Sequence, residues 1–148
     1  MEREMEIMIE EIQQHAVEIA RDDAHLPMLS LRIHGTWEVG FLPAGVLPRD
    51  AVPAILAQFQ PDAYISVMEG RLLSAPREEM EDYLGDYEYG EIADNPDNPT
   101  VLILTAAERG EEVRVAMCEA RTEAFPREFG AWRLMSGQKS GNLVIAEW

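Results

Sequence analysis

Glu69 closes the apolar run Ala63-Tyr64-Ile65-Ser66-Val67-Met68 and is followed at once by Gly70. A carboxylate at the end of a buried strand either sits at a cleft mouth, where lost solvation can tune it as a general base, or is held by an arginine. Pairing with an arginine such as Arg71 or Arg114 is the simpler expectation. Glu69, or else a carboxylate of the acidic stretch 78–97, is thus the catalytic candidate, as the base of a carboxylate-based or metal-dependent enzyme.

A second set of residues carries charge rather than chemistry. Residues 78–97 hold nine carboxylates and no lysine or arginine. The first 23 residues add eight more against Arg3 and Arg21, so the two stretches supply −9 and −6 of the formal −16. Like charges within a Debye length of about 8 Å repel unless they are solvated, paired or bound to something positive. Tyr83, Tyr87 and Tyr89 interleave with the acids and offer the rigid amphipathic area that partner surfaces use. Tyr83, Asp86, Tyr87, Glu88, Tyr89, Glu91, Asp94 and Asp97 therefore form the candidate partner-docking set. Asp86, Glu88, Asp94 and Asp97 could wrap calcium, but the D-x-D-x-D-G spacing that folds such a loop is missing, so no metal is assigned.

The remaining reactive residues have plain readings. Ser136-Gly137-Gln138-Lys139 matches S-x-x-K in letters only, because it falls in a Gly-rich turn and not on a helix. His15, His25 and His34, with Asp22 and Asp23, fit no compact ligand spacing. Cys118 reads as a small buried hydrophobe with no histidine near it in sequence. G-x-G-x-x-G, Walker A, H-E-x-x-H and C-x-x-C are all absent, and no cofactor is implied.

The elements that must position these residues follow from periodicity. Met5, Met8, Ile9, Ile12, Ala16, Ile19 and Ala20 recur at helical spacing, which predicts an amphipathic helix over 2–24. Leu29, Leu31 and Ile33 alternate with polar residues before His34-Gly35, and 36–42 again favours strand, so 29–42 reads as a hairpin. Asp50 is the expected cap of a second helix, with Pro53 in its first turn and Pro61 beyond its end. The 63–68 run is apolar on both faces, the pattern of an interior strand. A short helix is expected over 74–84, and residues 78–99 form an acidic helix-loop insertion dense in turn chemistry at its end. Residues 100–105 and 113–118 make a long hairpin across Arg109-Gly110-Glu111, and 132–135 with 143–148 a final one. Successive hairpins predict one α+β domain over 1–148: a mostly antiparallel sheet, an N-terminal amphipathic helix and two shorter helices, with the helices on one side.

Composition bounds the function. At 148 residues and 47% hydrophobic, the chain can bury a core without disulfides. One cysteine, no basic-apolar leader and no apolar run near the roughly 20 residues of a bilayer span point to a cytoplasmic protein away from membranes. The acidity argues against direct nucleic-acid binding, which draws on lysine and arginine. The chain is expected to be a non-catalytic interaction module for an unknown protein partner, through 83–97 or the N-terminal helix. That helix could instead bury its stripe against a second copy and make a homodimer. The alternatives are an acidic nucleic-acid-mimicking inhibitor of a basic protein, and the enzyme built on Glu69.

Overall fold

The computed structural model describes residues 2–21, 27–43, 45–46, 48–71, 78, 99–122 and 124–134. In chain order these give α1 (Glu2–Arg21), β1 (Met28–Ile33), β2 (Thr36–Phe41), α2 (Pro48–Phe59), β3 (Ala63–Arg71), β4 (Thr100–Glu108), β5 (Arg114–Glu119) and β6 (Arg133–Leu134). The strands form a six-stranded sheet in the order β2-β1-β3-β4-β5-β6. Every neighbouring pair is antiparallel. The architecture is α+β, as expected.

The β1–β2 hairpin turns at His34-Gly35, where both residues have positive φ, 51° and 79°. Two left-handed residues make a type I′ turn, whose twist matches that of the flanking strands. The β4–β5 hairpin turns through Gly110, also at positive φ (85°), with Glu111 N–H donating to Glu108 C=O at 3.0 Å. β3 and β4 are the long central pair, and both are almost wholly buried along their first halves.

The helices cover opposite faces of the sheet rather than one, which corrects the one-sided arrangement. Met5, Ile12, Ala16 and Ala20 of α1 pack with Ala63, Ile65, Val67, Leu102, Leu104 and Cys118. Val52 and Leu56 of α2 pack with Leu29, Leu31, Tyr64 and Ala107. Successive strand residues point to opposite faces, so neighbours such as Tyr64 and Ile65 must serve different helices. Each large side chain fully buried in this way contributes about 1.5–3 kcal/mol.

Helix α2 begins two residues before Asp50, with Pro48 at its first position; Asp50 lies inside the first turn and Pro53 beyond it. A proline at the first position removes an N–H that has no intrahelical acceptor, but the earlier start leaves Pro53 inside the helix, where it offers no N–H to the Arg49 carbonyl one turn before it. The helix ends on Gln60, which takes positive φ (47°) and donates its backbone N–H to Leu56 C=O at 2.9 Å. The expected helix over 74–84, apart from Glu78, and the second strand of the last hairpin, 143–148, lie outside the described residues. No described helix is long and apolar enough to cross a membrane.

Candidate functional site

Glu69 stands near the end of β3, on the face covered by α1, with its side chain 39% exposed. Its carboxylate Oε1 is bound by Nη1 of Arg127, so the arginine is neither Arg71 nor Arg114. Arg127 is 5% exposed and also donates from Nε and Nη2 to Ala20 C=O, at 3.1 and 2.8 Å. Its backbone N–H donates to Arg21 C=O at 3.0 Å. Its guanidinium lies 4.8 Å from the centre of the Phe125 ring and 5.6 Å from that of Phe129. One residue thus caps the last carbonyls of α1, places a cation at the negative end of the helix dipole and holds Glu69.

A matching cluster lies at the other end of α1. Arg32 of β1 and Glu108 of β4 are both buried, 8% and 7% exposed, with Nη2 and Oε2 3.4 Å apart. Arg32 Nη1 is 3.8 Å from Glu4 Oε2, and the guanidinium sits 5.8 Å from the Trp37 ring centre. Trp37 Nε1 donates to Glu4 Oε1 at 3.1 Å. Ser30 Oγ and Arg32 Nη1 are buried with no hydrogen-bond partner among the described residues.

Neither cluster was visible as a motif. Arg127 follows Pro126 in an irregular stretch and meets Ala20 across 107 positions of sequence. Arg32 reads as the polar residue of an alternating strand, and only the fold brings Glu108, 76 positions away, beneath it.

Two contiguous grooves run along the flank of α1 facing β5 and β6. One, of about 490 Å³, is lined by Glu6, Ile9, Glu10 and Gln13 against Arg114, Trp132, Arg133 and Leu134. The next, of about 470 Å³, continues past Gln14, Val17 and Glu18 to Phe129. Glu69 lines neither. The walls oppose carboxylates and guanidiniums, without a serine, cysteine or histidine among them.

Of the docking set, Tyr83, Asp86, Tyr87, Glu88, Tyr89, Glu91, Asp94 and Asp97 all lie outside the described residues, as do Ser136, Lys139, His25, Asp22 and Asp23. The strands on either side of that segment end at Arg71 and begin at Thr100, which are register partners. His15 is exposed on α1, with Nδ1 3.9 Å from Glu18 Oε2, and His34 occupies the β1–β2 turn. Among the described residues no three His, Cys, Asp or Glu side chains group as metal ligands would. Cys118 is buried, and burial pushes its thiol up from 9.0 to about 12, with a backbone hydrogen bond to Leu102 acting the other way. A thiol so held is a poor nucleophile at neutral pH. No family model, no curated protein and no solved structure matches this chain.

Proposed function

We propose that the chain is a single α+β domain that acts as a non-catalytic interaction module, with the sheet as scaffold and an electropositive protein surface as partner. The observation that carries this reading is the direction in which charge is sorted. Arg32 and Arg127, the buried cations among the described residues, turn inward onto Glu108, Glu4 and Glu69. Glu6, Glu10, Glu11 and Glu18 of α1 stay exposed on the outside. The exposed charge is negative in net, although Arg3, Arg21, Arg109, Arg121 and Arg133 are exposed too, and such a field steers a basic partner and raises its association rate more than its intrinsic affinity.

The apolar stripe of α1 is already buried on its own sheet, so the helix has no second apolar face to lend. That favours the tyrosine-bearing segment 83–97 over α1 as the docking element. The grip of Arg127 on Glu69 supports a structural duty for that carboxylate rather than proton transfer.

An oligolysine peptide, titrated calorimetrically against the full chain at low salt, tests the reading. Two variants remove equal charge: Glu88, Glu91, Asp94 and Asp97 to their amides, or Glu6, Glu10, Glu11 and Glu18 to glutamine. The variant in 88–97 is expected to lose most of the binding and the α1 variant little. Equal losses from both would mean a diffuse acidic exterior and no docking patch.

A further inference from the structure

Strand β2 is the edge of the sheet, and its outer side has no neighbour among the described residues. In a two-residue hairpin the residues flanking the turn, here Ile33 and Thr36, exchange both backbone bonds. Thr36, Glu38 and Gly40 therefore direct their N–H and C=O groups at β1, and Trp37, Val39 and Phe41 direct theirs outward. The alternation is consistent along the strand: Leu42 N–H donates inward to Pro27 C=O at 3.0 Å, and Arg32 C=O faces away from β2 to accept from Asp62 N–H at 2.8 Å.

Edge strands are ordinarily protected by lysine, proline, a bulge or shortness. β2 has six residues, a continuous register and no lysine, arginine or proline. Val39 and Phe41 are 57% and 50% exposed on the face that α1 covers elsewhere. Among the described residues the opposite edge is β6, which carries Arg133.

We infer that β2 pairs with β2 of a second copy of this chain, antiparallel across a two-fold axis at Val39. That register opposes more outward backbone groups than any other that keeps carboxylates apart. It sets Val39 against Val39 of the second copy and Trp37 against Phe41, all with outward backbone groups, so each opposed pair exchanges two hydrogen bonds. It also sets Glu38, the strand's only charge, against Gly40, so no two carboxylates face each other. A register centred on Glu38 would set that carboxylate against its copy in the second chain. Pairing ends where Pro43, which has no N–H, would meet Gly35 of the second copy. The area is small, so the dimer is weak and forms at high protein concentration.

This inference rests on β2 and is independent of the docking function, and salt separates the two. Copies that each carry −16 repel, so added salt strengthens the dimer, whereas it weakens docking of a basic partner. Sedimentation equilibrium of the full chain is expected to show a concentration-dependent species of twice 16.7 kDa, favoured by salt. Val39→Lys, and Val39→Pro, which removes an N–H that β1 does not use, are each expected to give a monomer with unchanged circular dichroism. Opposed residues in such a pair have Cα atoms about 5.5 Å apart, within disulfide reach. Val39→Cys chains should therefore crosslink on mild oxidation and Glu38→Cys chains should not. A wild type that stays monomeric at every concentration and salt overturns the inference. So does a dimer that survives Val39→Lys, or equal crosslinking at both positions.

Discussion

The two ends of α1 are fastened by the same chemistry in different surroundings. At the N-terminal end, Arg32 and Glu108 are sealed under the helix, with Glu4 and Trp37 closing over them. At the C-terminal end, Arg127 is equally buried, but its partner Glu69 opens to solvent, and two of the arginine's three side-chain hydrogen bonds go to the backbone of the helix itself. The first is a closed ion pair that needs both members. The second is a helix cap with a carboxylate attached. Deleting one charge should therefore be costly at the first end because of what is left behind, and at the second because of what is no longer capped.

The largest effect is expected for Arg32→Met, which strands a buried carboxylate and should cost about 3–5 kcal/mol in urea unfolding. Adding Glu108→Leu should return most of that loss, because an apolar pair needs no solvation. Arg127→Met should cost less, about 2–3 kcal/mol, since Glu69 can hydrate. Adding Glu69→Gln there should return little, because the Ala20 carbonyl remains without its donor. If the second double variant recovers as fully as the first, the two ends do not differ and the capping account fails. Glu4→Gln, at the half-exposed rim of the closed end, should cost at most about 1 kcal/mol.

Cys118, level with Glu69 across β4, reports on the same core. Its thiol should resist alkylation in the native state and react only on unfolding. A folded pKa raised from 9.0 to about 12 means that the native state holds its proton longer than the unfolded chain. The stability it carries is complete below about pH 9 and declines as pH rises toward 12, which base titration of unfolding checks.

Much of this fold was legible because its signals are local. His34-Gly35 between alternating runs announces a hairpin, and the 100–105 run can hardly be other than a strand. The cover on both faces was legible too: a 63–68 strand apolar on both sides needs a layer on each, and hairpin counting alone hid that. The start of α2 was misplaced because Asp50 and Pro48 are both good helix-opening residues, and proline took the first position. The clamps on α1 were not legible, since Arg127 finds Ala20, and Arg32 finds Glu108, only after the sheet has assembled. Local patterns decide elements, whereas the pairing of buried charges is decided by topology.

The central claim is that the arginines at both ends of α1 are committed inward while the acidic stretches keep their charge for a partner. Carbodiimide labelling of carboxyl groups in the native protein, read residue by residue by mass spectrometry, tests it most directly. The account predicts no labelling at Glu108, slow labelling at Glu69, and rapid labelling at Glu6, Glu10, Glu11 and Glu18 and throughout 86–97. Protection of Asp86, Glu88, Glu91, Asp94 and Asp97 to the level of Glu108 would contradict it, because those charges would then already be neutralised within the molecule.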